Sequence, residues 1–127
     1  MSPKTRVVGV SAKNSAELAA SIRAGKMVKV DHQETLADGC AGGVDNDTIT
    51  LGLGTQVIDD LIDCSENQIV SGLQQIAWSE KMLVEGSAGL AYAAWQEDAR
   101  NNKNKISAVV LCGANFDKET LSPIVNL

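Results

Sequence analysis

Cys112, Glu85 and Gly39 are the residues of this sequence whose types and settings point to chemistry. Cys112 follows the apolar run Ile-Ser-Ala-Val-Val-Leu over residues 106–111 and opens the segment Cys-Gly-Ala-Asn. An uninterrupted run of this kind reads as a buried central strand. The turn at its carboxyl end then opens into the crevice where α/β sheets hold ligands, with Cys112 pointing into it. The bland alternative is a cysteine acting as a small core hydrophobe. Glu85 stands between Met82-Leu83-Val84 and Gly86-Ser87. It either faces a site or simply lies where a helix amino terminus stabilises negative charge. Gly39 lies in the stretch from Asp31 to Thr50, which has no regular apolar period. Connections of that length inside a compact domain are usually functional, although a solvated surface crossing fits the pattern as well. Gly39 lets backbone approach a ligand, and Gly42-Gly43 permits positive φ.

Composition narrows the classes of function. A chain of 127 residues with 44% hydrophobic content fits a single folded domain, residues 1–127. The net charge of −5 and scattered basic residues argue against a nucleic-acid or anionic-membrane surface. No long apolar run follows the opening residues, so no membrane span and a cytoplasmic location are expected. Cys40, Cys64 and Cys112 are odd in number and lack C-x-x-C spacing, which suits reduced thiols rather than disulfides or zinc. His32 is the only histidine and reads as a surface residue.

The elements that must position these residues can be read in order. Residues 6–10 (RVVGV) form a short strand. Asn14 and Glu17 suggest a capping box for a helix from Ser15 to about Ala24, stopped by Gly25. Met27–Val30 reads as a second short strand. Val57, Ile58, Leu61 and Ile62 mark a helix face from about Leu51, followed by an extended link at Asp63-Cys64. Ser65 and Gln68 form a capping box for an amphipathic helix to about Lys81, in which Gly72 suggests close packing. A helix of small residues spans Ala88 to Trp95, and the tail from Lys118 is irregular after a short helical turn. This order predicts an α/β fold, three layers with a mostly parallel sheet flanked by helices.

Three stretches stand in order: Glu34-Thr35-Leu36-Ala37-Asp38-Gly39, then Leu83-Val84-Glu85-Gly86-Ser87-Ala88-Gly89, then Val109-Val110-Leu111-Cys112-Gly113-Ala114-Asn115. With Ser65-Glu66 and Ile69 between the first two, they resemble the carboxyl-terminal part of the large domain of the threonine/serine dehydratase family, pyridoxal-phosphate enzymes of fold type II. The resemblance covers nearly the whole chain and implies an incomplete fold type II domain, from a fragment or a truncated gene. It implies cofactor-binding roles for five residues. Cys112 would meet the pyridine nitrogen, Gly39 would face the ring through its backbone, and Glu85 would be the acid beside it. Gly113 and Asn115 would form the turn that holds Cys112.

The departures are equally specific. The family's Schiff-base lysine, substrate-carboxylate loop and phosphate-cradling glycines lie upstream of the matched region, and the eight lysines here all sit in polar settings. A Schiff-base lysine needs desolvation to become a nucleophile. The resemblance therefore implies pyridoxal phosphate and a hydroxyamino-acid substrate for the intact enzyme, and an inactive isolated chain with no catalytic residue of its own that does not bind the cofactor alone. Some relatives hold a divalent cation after the first strand through an acid where Ser11 stands, so no metal site is expected. The rival is a non-catalytic remnant acting as a self-association or regulatory module, and a homo-oligomer is expected. An unrelated nucleotide-binding domain lacks its glycine fingerprint.

Overall fold

The structure, a computed structural model, describes residues 4–126. Its sheet among those residues has two parallel strands, β1 (Val8–Ala12) and β2 (Asp60–Cys64), in register from Val8 opposite Asp60 to Ala12 opposite Cys64. Five helices accompany them: α1 (Glu17–Ala24), α2 (Ile49–Val57), α3 (Glu66–Gln75), α4 (Gly86–Asn101) and α5 (Lys118–Val125). The α/β class and the parallel pairing follow the sequence reading.

Several boundaries differ, each for a physical reason. Residues 58–62 leave the helix expected there, because Leu61 and Ile62 pair with Gly9 and Val10 to make β2. The spacing of Val57, Ile58, Leu61 and Ile62 is compatible with either period, and the tertiary pairing decides. Thr48 caps α2 by accepting from Thr50 N, so that helix begins two residues before Leu51. Residues 27–30 form no strand. Their partners are side chains, with Ser21 Oγ accepting from Val28 N at 3.0 Å.

The run 106–111 has no regular secondary structure and forms no ladder with β1 or β2. Ile106 and Val110 face solvent, at 104% and 72% exposure, while Val109 and Leu111 lean on a groove lined by Met82, Tyr92 and Trp95. The alternation of a strand is present, but no strand of the described residues lies beside it.

The core sits between the sheet and the α3–α4 pair, with Cys64, Ile69, Ile76 and Ala88 fully buried. Ser65 and Gln68 form the expected capping box at the start of α3, Ser65 N donating to Gln68 Oε1 at 2.8 Å. The helix passes into a π-helical turn, Ile76–Glu80, and ends at Lys81 in the left-handed region. A Cβ on Gly72 would lie well inside van der Waals contact distance of the Gly89 carbonyl oxygen, so α3 and α4 touch backbone to backbone. The tail forms a true helix, capped by Asp117 accepting from Thr120 N at 2.6 Å, and closes on the core through Leu121 and Ile124.

Candidate functional site

Glu85 is the N-cap residue of α4, yet its side chain makes no capping hydrogen bond. The bland reading, an acid serving its own helix, would turn the carboxylate onto the first amides of α4. The carboxylate instead crosses to the segment after residue 111, where Oε2 accepts from Asn115 N at 2.9 Å. The backbone between them is matched, Glu85 N donating to the Gly113 carbonyl at 3.4 Å. Gly113 has φ +81°, and a Cβ there would overlap the Glu85 carboxylate. Only glycine satisfies both conditions at once.

Gly39 reaches the same carboxylate from the other side. It sits in a 3₁₀ turn, Asp38–Cys40, and a Cβ on it would lie 3.2 Å from Glu85 Oε1 and 3.1 Å from Ser87 Oγ. The absent side chain therefore lets the carboxylate and the hydroxyl pack closely against the Gly39 backbone. Leu36 N, three residues earlier, donates to Glu66 Oε2 at 2.9 Å, which fixes this segment to the start of α3. Gly86 lets the first turn of α4 rest directly on the Leu36 carbonyl.

Glu85, Gly39, Gly113 and Asn115 thus meet around one carboxylate, although they lie far apart in the chain. Cys112, one residue before Gly113, is exposed rather than a core hydrophobe. The buried cysteine is Cys64, whose thiol burial pushes up to about 11. Adjoining the site, a cavity of about 180 Å³ is lined by Asp38, Asn115, Phe116 and Leu121 among others.

Residues that the sequence reading did not single out complete the setting. Cys40 directs its sulfur to the Ala37 carbonyl at 3.3 Å, and burial raises its pKa. The nearby Ser87 hydroxyl opposes that shift without reaching hydrogen-bond geometry, while the charges of Cys112, Asp38 and Glu85 add to it. Glu17 does not form the expected box with Asn14, whose side chain donates instead to the Glu34 carbonyl at 2.7 Å. Buried at 1% exposure, Glu17 accepts from Val44 N at 2.7 Å, Lys29 Nζ at 3.0 Å, His32 Nε2 at 3.1 Å and Val30 N at 3.4 Å. These bonds, the Val44 amide first and Lys29 next, hold its carboxyl down at about 2. His32 lies at the surface as expected, but its ring bridges Ser15 Oγ and Glu17 rather than standing free. Both ends of the Gly39 segment are thereby pinned to α1. No sequence spacing signals this hub, since its donors come from loop backbone and side chains.

All eight lysines are exposed. None of them lines the Glu85 site or the adjoining cavity.

The comparisons with known proteins agree with one another. An L-threonine ammonia-lyase of Thermotoga maritima is 29% identical over 99% of this chain and 31% of its own length. A catabolic L-threonine dehydratase of Escherichia coli is 28% identical over 98% of this chain and 38% of its own. The chain therefore spans about a third of the length of the curated relatives it matches. Among solved structures, a processed threonine deaminase of Solanum lycopersicum superposes with a TM-score of 0.85 at 24% identity, covering 98% of this chain and 37% of that one. Maize serine racemase superposes with a TM-score of 0.82 at 24% identity, covering 96% and 38%. These likenesses establish the fold as that of fold type II enzymes. The model of the pyridoxal-phosphate dependent enzymes matches residues 1–113, and the chain belongs to that family.

Proposed function

We propose that this chain is the carboxyl-terminal portion of the large domain of a pyridoxal-phosphate dependent threonine/serine ammonia-lyase, and that it is inactive by itself. The observation that carries the reading is the convergence of Gly39, Gly113 and the Asn115 amide on the Glu85 carboxylate. Cys112 stands exposed one residue before Gly113, beside that convergence. When bound, pyridoxal phosphate supplies an electron-withdrawing pyridine that stabilises negative charge beside the amino-acid carbon. In this reading the Cys112 thiol faces the ring nitrogen. A neutral thiol is a weak donor and leaves that nitrogen unprotonated, which suits loss of water over chemistry needing a long-lived carbanion. Glu85 lies beside the ring, the Gly39 backbone covers it, and Gly113 with Asn115 fixes the turn.

The intact enzyme would take threonine or serine, remove water across the side chain, and yield a 2-oxo acid and ammonia. All eight lysines are exposed and lack the desolvation that makes a nucleophile, so none of them is suited to hold the cofactor covalently. The test is to add pyridoxal phosphate, reduce with borohydride and map pyridoxyl groups by mass spectrometry. Scattered, substoichiometric labelling with no ammonia release from threonine is expected. Stoichiometric modification of a single lysine, or turnover, overturns the proposal.

A second reading, self-association through the open segment, is favoured by one observation. Met82, Leu83, Ile106 and Val110 are exposed at 48%, 56%, 104% and 72%, beside backbone that has no ladder partner among the described residues. Sedimentation that gives a monomer independent of concentration would contradict it.

A further inference from the structure

Each of the two segments that close on the Glu85 carboxylate carries a cysteine. A Cβ on Gly39 would lie 3.2 Å from Glu85 Oε1, and one on Gly113 would lie 2.6 Å from that same atom. The segments therefore face each other across a single oxygen, near the reach of a disulfide, whose α-carbons lie about 4.4–6.8 Å apart. Cys40 is the residue after Gly39, and Cys112 the residue before Gly113. Both are free thiols and exposed, so a soluble oxidant can reach them. Negative charge on Cys112 raises the pKa of Cys40, as it does only when the two groups are close in space. Neither cysteine is locked by regular structure. Cys40 ends a single 3₁₀ turn with its sulfur on the Ala37 carbonyl at 3.3 Å, and a thiol donates only weakly. Cys112 lies outside any helix or strand. The third cysteine, Cys64, is fully buried and takes no part.

We propose that Cys40 and Cys112 form a reversible disulfide, a redox switch that ties the turn at residues 38–40 to the segment at residues 112–115 over the Glu85 carboxylate. The oxidant is a small-molecule disulfide of the glutathione class. The Cys112 thiolate attacks one of its sulfurs, making a mixed disulfide and releasing one thiolate, and the Cys40 thiolate then attacks Cys112 Sγ and releases the second. Two protein thiols are oxidised, one external disulfide is reduced to two thiols, and the two protons pass to the departing sulfurs. Cys112 reacts first, because the raised pKa of Cys40 leaves it less thiolate. The bond also withdraws the thiol that the reading above sets before the ring nitrogen. That consequence rests on the reading, whereas the bond itself rests on the geometry.

The test incubates the native full chain with glutathione disulfide, blocks the remaining thiols, and maps cross-links by mass spectrometry. Cleavage at aspartate separates Cys40 from Cys64, since Asp45 and Asp63 lie between them. The expected product is a monomer lighter by two hydrogen atoms, with Cys40 joined to Cys112, Cys64 free, and both thiols recovered by dithiothreitol. Oxidation in urea supplies the comparison. In an unfolded chain loop closure favours the shorter loop, so Cys40–Cys112 should fall about fivefold below Cys40–Cys64. Cys40→Ser is expected to stop at a glutathione adduct on Cys112. A wild-type chain that also stops at that adduct, a native cross-link to Cys64, or a bond between two copies overturns the proposal. So does a Cys40–Cys112 yield no higher in the native chain than in urea. Each of these failures leaves the ring reading standing, because the borohydride labelling tests that reading separately.

Discussion

At the scale of single residues, Glu17 couples the fold to pH. Its carboxyl titrates at about 2 in the folded chain against an ordinary value of 4.5, held down by the Val44 amide, Lys29, His32 and the Val30 amide against the opposing effect of burial. A lowered folded value means that the stabilisation is fully present above the ordinary value and is lost as pH falls toward the folded one. The urea midpoint should therefore fall as pH drops from 4.5 to 2, and Glu17→Gln, which cannot ionise, should show a lower midpoint near neutrality and a flatter acid limb. An unchanged acid limb in that variant would contradict the assignment. The thiols give a second residue-scale expectation. Cys112 and Cys40 are exposed, whereas Cys64 is buried with its thiol raised to about 11 by that burial. The thiolate is the reactive form. Alkylation of the native chain at pH 8 should modify Cys112 readily, Cys40 more slowly because its pKa is also raised, and Cys64 only after denaturation. Glu85, Gly39 and Gly113 each stand in a short recognisable stretch, so the sequence singles them out before the structure brings them together. The role of Glu17 is not legible in this way, because its donors are 12 to 27 positions away and all four come from the irregular segment between α1 and α2 that it organises.

At the scale of elements, legibility followed the locality of the forces. The capping box at Ser65 and the left-handed stop at Gly25 are settled by neighbours in the chain, and both were read correctly. The strand β2 is settled by pairing with residues 8–12, so a local apolar period could not distinguish it from a helix. Close contact of α3 with α4 belongs to the same class, since a lone glycine in a helix signals little until its neighbour is known. Gly72 now has a reason, and the reason predicts a reversal. Glycine to alanine inside an exposed helix normally stabilises by about 1 kcal/mol. Here the new methyl meets the Gly89 carbonyl, an unyielding backbone atom. Gly72→Ala should instead destabilise by about 1–3 kcal/mol, the range for overpacking a tight contact. Urea denaturation of the variant checks the sign, and a stabilised protein would show that the helices can separate without cost.

At the scale of the whole molecule, the decisive feature is the path of residues 105–111. The sequence reading made this run the centre of a sheet, and its residues alternate as a strand would, with Val109 and Leu111 turned to the Tyr92–Trp95 groove and Ile106 and Val110 turned to water. What the run lacks is a strand of the described residues beside it, which no inspection of its own composition could reveal. An exposed apolar run outside any ladder of the described residues is a surface suited to pairing with another chain. If a second copy supplies that pairing, sedimentation velocity should show association that rises with concentration. Placing a charge on the outward face should then oppose it, because a lysine at a pairing face must lose water to be buried. Val110→Lys and Ile106→Lys should each shift the chain toward monomer. Neither should change the thermal midpoint measured at high dilution, since both side chains already face solvent. Loss of folding in these variants would show that the run is held against the body by its outer face, and association left unchanged would move the contact to another surface.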